Sequence, residues 1–129
     1  MPEAAANIVL GWALMALGAV SGALIGLGFH RETWAGGYGS FRRRLMRLGH
    51  ISFFGLGILN VLFGLYAAPL EGAASSLRIG SWALVVAGAT MPTVCFLTAW
   101  KANFRHLFAI PVLGVLVGVM ATLHASVQP

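Results

Sequence analysis

Four segments of this chain contain no Asp, Glu, Lys or Arg, and each is long enough to cross a lipid bilayer once. These segments are residues 4–30, 48–70, 79–100 and 106–129. A helix crosses the hydrocarbon region with about 20 consecutive apolar residues, so none of the four segments can cross twice. Their apolar runs are continuous rather than alternating, which excludes a membrane β-barrel. The pattern predicts four transmembrane helices, at 7–29, 46–68, 78–100 and 105–126.

The composition excludes a soluble or disordered protein. Hydrophobic residues make up 59% of the 129 residues and charged residues 9%, with a mean hydropathy of +0.88. Soluble domains carry about 25% charged residues, and disordered segments have low hydrophobicity. The expected fold class is therefore an all-α integral membrane protein, in which residues 1–129 form a single four-helix transmembrane domain.

The basic residues predict the orientation of the chain in the membrane. Seven of the eight lie in or beside the first and third predicted loops: Arg31, Arg42, Arg43, Arg44, Arg47, Lys101 and Arg105. Only Arg78 lies by the second loop. Because cytoplasmic loops are enriched in Lys and Arg, residues 30–45 and 101–105 are predicted to be cytoplasmic and residues 69–76 to be outside. This places both termini on the non-cytoplasmic side of a bacterial-type inner membrane. A positive net charge distributed in this way indicates membrane topology rather than a nucleic-acid partner.

Helices 1 and 3 resemble each other when the chain is shifted by 70 residues. Trp12-Ala13-Leu14 then aligns with Trp82-Ala83-Leu84, and Gly18-Ala19 with Gly88-Ala89. Helices 2 and 4 align more weakly at a shift of 63. This pattern favours two duplicated, parallel helical hairpins, with coincidence in Gly- and Ala-rich sequence as the alternative.

Small and amide side chains predict how the helices pack. Lipid removes the hydrophobic driving force between membrane helices, so close approach at small residues has to replace it. The predicted helix-packing residues are Gly18, Gly22, Gly26, Gly114, Gly118 and Asn60. An interhelical hydrogen bond is the expected role of Asn60, and Pro92 is expected to kink helix 3.

Three of the four histidines, His30, His50 and His106, are expected near the cytoplasmic face on three different helices. Two imidazoles on facing helices can ligate a b-type haem. His50 and His106 are the preferred pair, with room for the macrocycle beside Gly49, Gly55 and Gly57. The alternatives are a Zn or Cu ion, or interfacial histidines without a cofactor. Their spacing matches no recognised metal signature.

The run Arg42, Arg43, Arg44 and Arg47 opens helix 2 with four guanidinium groups. It is expected to set the topology of the chain. The same run can also form a surface for anionic lipid or for an acidic partner.

The leading functional prediction is an accessory or structural subunit of a larger membrane complex, of a respiratory or electron-transfer type, without catalytic activity of its own. Its partners would be membrane lipids and other membrane-protein subunits. The respiratory assignment rests on the histidines. One alternative is a haem-b electron carrier with bis-His ligation. Another is a small transporter or channel that uses Pro92 and Asn60.

Overall fold

A computed structural model of the protein describes residues 2–69 and 75–127. Four long helices form it: α1 (Pro2–Gly28), α2 (Phe41–Ala67), α3 (Ser75–Trp100) and α4 (Ala109–Ser126). Two 3₁₀ helices, Trp34–Gly36 and Ala102–Phe108, lie before α2 and α4. No strand occurs in the described part of the chain. The predicted all-α, four-helix architecture is confirmed. All four helices are long and apolar enough to cross a membrane, and the fourth candidate span, Ala102–Ser126, includes the 3₁₀ helix before α4.

Several helix ends differ from those predicted, because charges limit an apolar segment but do not end a helix. α1 begins at Pro2 rather than near residue 7, and α2 at Phe41 rather than near residue 46. Arginine is a good helix former. The hydroxyl of Ser40 also caps α2 by accepting a hydrogen bond from the Arg43 backbone N–H at 3.1 Å. The predicted outer loop, 69–76, falls largely on residues 70–74, outside the described residues.

The α4 segment begins as a 3₁₀ helix rather than as the α-helix predicted from residue 105. Pro111 has no backbone N–H, so it cannot donate the α-helical hydrogen bond to the carbonyl of Leu107. Residues 102–108 therefore wind more tightly, and the α-helix begins at Ala109. Pro111 lies at the third position of α4, within the first turn, where a missing N–H costs little.

The helices pack in chain order, with α3 at the centre. α1 packs along α2, α2 packs on α3, and α3 packs on α4, while α3 also touches α1. α4 contacts mainly α3 and is the most exposed helix, with only Pro111 and Gly118 fully buried. The buried core between the helices includes Phe63, Leu77 and Leu84.

Backbone contact at glycines joins α1 to α2. A Cβ atom added to Gly11 would lie 2.5 Å from the carbonyl oxygen of Gly57, and one added to Gly57 would lie 2.8 Å from that of Gly11. Gly18 packs against the ring of Phe54, and Gly22 packs against the ring of His50. Such close approach is the usual means by which membrane helices associate.

The other glycines predicted to pack have different surroundings. Gly114 faces the Ala83 carbonyl of α3, and Gly118 packs against Leu84 of the same helix. A Cβ atom added to Gly26 would meet no neighbouring side chain or facing helix within 4 Å, so this face of α1 is open. Gly88, which aligns with Gly18 in the predicted repeat, packs against Leu14 of α1 rather than against α4. The aligned glycines therefore have non-equivalent partners, and the duplication stays a prediction.

Candidate functional site

A buried polar cluster connects the first three helices. Asn7, Asn60 and Ser81 are each at most 1% exposed. The Asn7 amide donates to the side-chain oxygen of Asn60 at 2.8 Å and to the backbone carbonyl of Ser81 at 3.3 Å. In return, the Ser81 hydroxyl donates to the side-chain oxygen of Asn7. We call these three residues the Asn7 cluster.

The amide nitrogen of Asn60 completes the hydrogen bonding of the cluster. It donates to the Leu56 carbonyl of its own helix at 2.9 Å and to the Leu84 carbonyl of α3 at 3.2 Å. Buried amides without partners are costly in an apolar medium. Because both polar ends of the two asparagines are paired, the cluster fixes the mutual register of α1, α2 and α3.

Sequence reasoning found Asn60 but missed Asn7 and Ser81. Asn7 lies at the predicted start of helix 1, where an asparagine is typical of the membrane interface. Serine is common in membrane helices because its hydroxyl can bond to its own backbone. No pattern in the sequence places residues 7 and 81 on facing surfaces, so their pairing depends on the tertiary fold.

His50 lies in the contact between α1 and α2. Its Nδ1 is 2.9 Å from the Gly18 carbonyl oxygen and 3.3 Å from the Ser21 hydroxyl. The ring stacks edge-on against Phe54, with a centroid separation of 5.5 Å. In the tautomer whose Nδ1–H donates to the Gly18 carbonyl, Nε2 is the unprotonated ring nitrogen and carries the lone pair.

The other two predicted ligands lie in exposed positions on separate elements. His30 is exposed beyond the end of α1, with Nδ1 2.7 Å from the Leu27 carbonyl oxygen. His106 is exposed in the 3₁₀ helix before α4, and this helix packs mainly on α3. Among residues 2–69 and 75–127, no group of three or more His, Cys, Asp or Glu side chains is arranged to hold a metal ion.

Three glycines are expected to make room for a haem, but neighbouring helices fill the space beside two of them. Gly49 lies against Cys95 and Phe96 of α3, and Gly57 lies against Gly11 and Met15 of α1. Only Gly55 faces open space. The α1–α2 and α2–α3 contacts that fill these places are the same contacts that hold the bundle together.

The basic end of the bundle, which we define as residues 29–47 and 101–108, contains a folded arginine–aromatic cluster. Arg43 is only 3% exposed, and its guanidinium carbon lies 4.5 Å from the Phe29 ring centroid. The rings of Trp34 and Tyr38 lie at 5.7 and 5.6 Å. These distances fall within the range of cation–π attraction, about 6 Å. Arg43 therefore fastens the first loop to α2, and little of its side chain is exposed on the lipid or partner surface predicted for it.

Arg47 joins the same cluster one helical turn further along. Its guanidinium lies 4.4 Å from the Tyr38 ring centroid, and it donates to the Tyr38 carbonyl at 3.3 Å. The loop folds back through three consecutive positive φ angles, at Ala35, Gly36 and Gly37. Glycine adopts this conformation without strain, whereas it is uncommon for alanine. Of the predicted basic surface, Arg42 and Arg44 remain exposed.

Pro92 lies buried inside α3, as the sequence predicts. It removes the hydrogen bond that would reach the Gly88 carbonyl, and the flanking Thr90 and Thr93 hydroxyls donate to the carbonyls four residues before them. Gly88 also lies close to the Asn60 amide. Pro92 therefore lies one helical turn from the α3 residue that approaches the Asn60 amide.

Comparisons of the chain with protein-family models, with curated proteins and with solved structures found no match.

Proposed function

We propose that this chain is an integral inner-membrane protein that acts as an accessory subunit of a larger membrane complex, docking through one face of α1. The supporting observation is an exposed stripe of small residues at helical spacing, Ala16, Ala19, Ala23 and Gly26. Gly18 and Gly22, by contrast, are covered by α2. We call the four exposed residues the α1 small face.

The rest of the exposed surface of α1 differs in character. A neighbouring face carries Leu17, Val20, Leu24 and Leu27, which are 51–72% exposed. Long aliphatic side chains suit contact with lipid chains, whereas small residues let a second helix backbone approach. The two faces support a helix that contacts lipid on one side and another subunit on the other.

A haem-b electron carrier is the second candidate, and His50 favours it. Metal-ligating histidines commonly donate their other ring N–H to a carbonyl oxygen, as the Nδ1 of His50 is placed to do toward Gly18. The respiratory or electron-transfer assignment of the complex rests on the three predicted histidine ligands, His30, His50 and His106. The occupied surroundings of Gly49 and Gly57 count against a macrocycle in this position.

The Ala23→Leu/Gly26→Leu double variant should separate the chain from its partner. The added side chains prevent close helix approach, and overpacking of this kind costs about 1–3 kcal/mol. We expect the wild-type chain, purified from its native membrane in mild detergent, to retain a stoichiometric partner subunit. The double variant should retain at least about tenfold less of this partner, which corresponds to a loss of about 1.4 kcal/mol in the free energy of binding.

The matched control is Ala13→Leu, since Ala13 is also exposed on α1 but lies outside the α1 small face. It should retain the partner fully. A wild-type chain that purifies alone, or only as copies of itself, contradicts the accessory-subunit proposal. A reduced-minus-oxidised b-type haem spectrum in the purified chain itself, lost in His50→Ala, would favour the electron carrier instead.

A further inference from the structure

An apolar groove runs between α2 and α4, with α3 as its floor. Leu48, Ile51 and Gly55 line one wall, Met91 lies on the floor, and Val112 and Leu116 line the other wall. The groove measures about 410 Å³, within the range of about 300–1,000 Å³ common for ligand pockets. α2 and α4 make little direct contact here, since each packs on α3 instead.

The surface between these helices has a further hollow nearer the opposite end of the bundle. A second apolar hollow is lined by the same three helices, through residues such as Leu59, Leu84 and Val119. A hydrogen bond of 3.1 Å between the hydroxyls of Tyr66 and Ser126 spans its far edge. The two hollows therefore follow one another along the helix axes, which is the direction that an acyl chain takes beside a transmembrane helix.

Exposed arginines lie at the basic end of this groove. Arg44 is one helical turn before Leu48, so both residues share the face of α2 that lines the groove. Arg105 lies in the 3₁₀ helix that leads into α4, six residues before Pro111, which also borders the groove. Both arginines are exposed, unlike Arg43 in its aromatic cluster.

The positive charge at this end lacks a counterpart within the described chain. The basic end and its loops carry seven basic residues and one acidic residue, Glu32. The ion pair found among residues 2–69 and 75–127 joins Arg78 to Glu3, near the opposite end. An apolar groove that ends beside uncompensated guanidinium groups is complementary to an anionic head group with an aliphatic tail.

We propose that the groove binds an anionic glycerophospholipid, with one acyl chain along α3 and the phosphate at Arg44 and Arg105. This inference rests on the membrane insertion assumed in the proposed function and is independent of the partner at the α1 small face. Gly55 is the position that leaves room for the chain. The two arginines provide the preference for an anionic head group.

Native mass spectrometry of the detergent-solubilised full chain tests this assignment. The probes are palmitoyl-oleoyl phosphatidylglycerol and phosphatidylcholine with the same acyl chains. We expect the wild type to prefer phosphatidylglycerol. Arg44→Gln/Arg105→Gln should lower that preference about 25-fold, at about fivefold for each arginine near an anionic group. Gly55→Leu should reduce the binding of both lipids.

Two controls make the result specific. Arg31→Gln/Arg42→Gln removes the same charge from the same end and should keep the preference. Ala13→Leu adds an aliphatic side chain at an exposed position of α1, outside the groove, and should keep the binding of both lipids. Leu116→Trp narrows the groove from its other wall and should act like Gly55→Leu. If both arginine double variants lowered the preference for phosphatidylglycerol equally, the preference would come only from diffuse surface charge, and the proposal would be overturned. A dimer that Gly55→Leu dissociates would assign the groove to a second copy.

Discussion

Gly57→Leu and Gly11→Leu should each lower the free energy of unfolding by about 3 kcal/mol, the upper end of overpacking costs. The new side chain at either position meets the backbone carbonyl of the facing helix, at 2.8 and 2.5 Å for its first carbon. A backbone atom cannot rotate away as a side chain can, so α1 and α2 have to separate. Unfolding in mixed detergent micelles measures the effect.

Gly55→Leu is the matched control for this prediction, since it lies two residues from Gly57 on the same helix and faces open space. It should leave stability unchanged or raise it by up to about 1 kcal/mol, the helix-propensity gain over glycine. The Gly11→Leu/Gly57→Leu pair should cost less than the sum of the single changes, because the first already separates the helices. If Gly55→Leu and Gly57→Leu lowered the free energy of unfolding equally, this would contradict the close α1–α2 contact at Gly57.

Asn7→Leu should be the most damaging substitution in the Asn7 cluster, at about 1–3 kcal/mol. It leaves the Ser81 hydroxyl and the side-chain oxygen of Asn60 without their partner in a dry environment. Asn60→Leu should lower the free energy of unfolding by about 1 kcal/mol, because the Asn7 amide keeps its hydrogen bond to the Ser81 carbonyl. The same unfolding measurement reports both changes.

A double-mutant cycle distinguishes a cluster from independent hydrogen bonds. Asn7→Leu/Asn60→Leu should cost less than the sum of the single variants by about 0.6–1.7 kcal/mol, which runs from the average to the largest value measured for membrane hydrogen bonds. Thr93→Val serves as the control, because its hydroxyl bonds only within its own exposed turn of α3. Strict additivity of Asn7 and Asn60 would show that the two side chains do not interact.

The four helices could be predicted from the sequence because the apolar runs and their charged limits are local properties. Helix ends were less accurate where local chemistry intervened. Ser40 and three helix-forming arginines extend α2 backwards, and Pro111 converts the start of the fourth segment into a 3₁₀ helix.

The partners of individual residues could not be predicted, because they depend on which faces meet. Gly18, Gly22 and Gly26 look equivalent in the sequence, yet the first two pack on α2 and the third faces open space. Arg43 looks like its neighbours Arg42 and Arg44, but aromatic rings from the first loop enclose it. The role of Asn7 depends on the position of α3, which places Ser81 within hydrogen-bonding distance of it.

In the topology proposed for this chain, the four helices span a membrane and the basic end lies in the cytoplasm. Cys95 is the only cysteine and is buried, so a Cys95→Ala background accepts single cysteines at Ala5, Gly39 and Val127. An impermeant maleimide applied to intact cells should label positions 5 and 127, and label position 39 only after permeabilisation. Labelling of position 39 in intact cells would contradict this topology. Labelling of positions 5, 39 and 127 from the same side of the membrane would also contradict it.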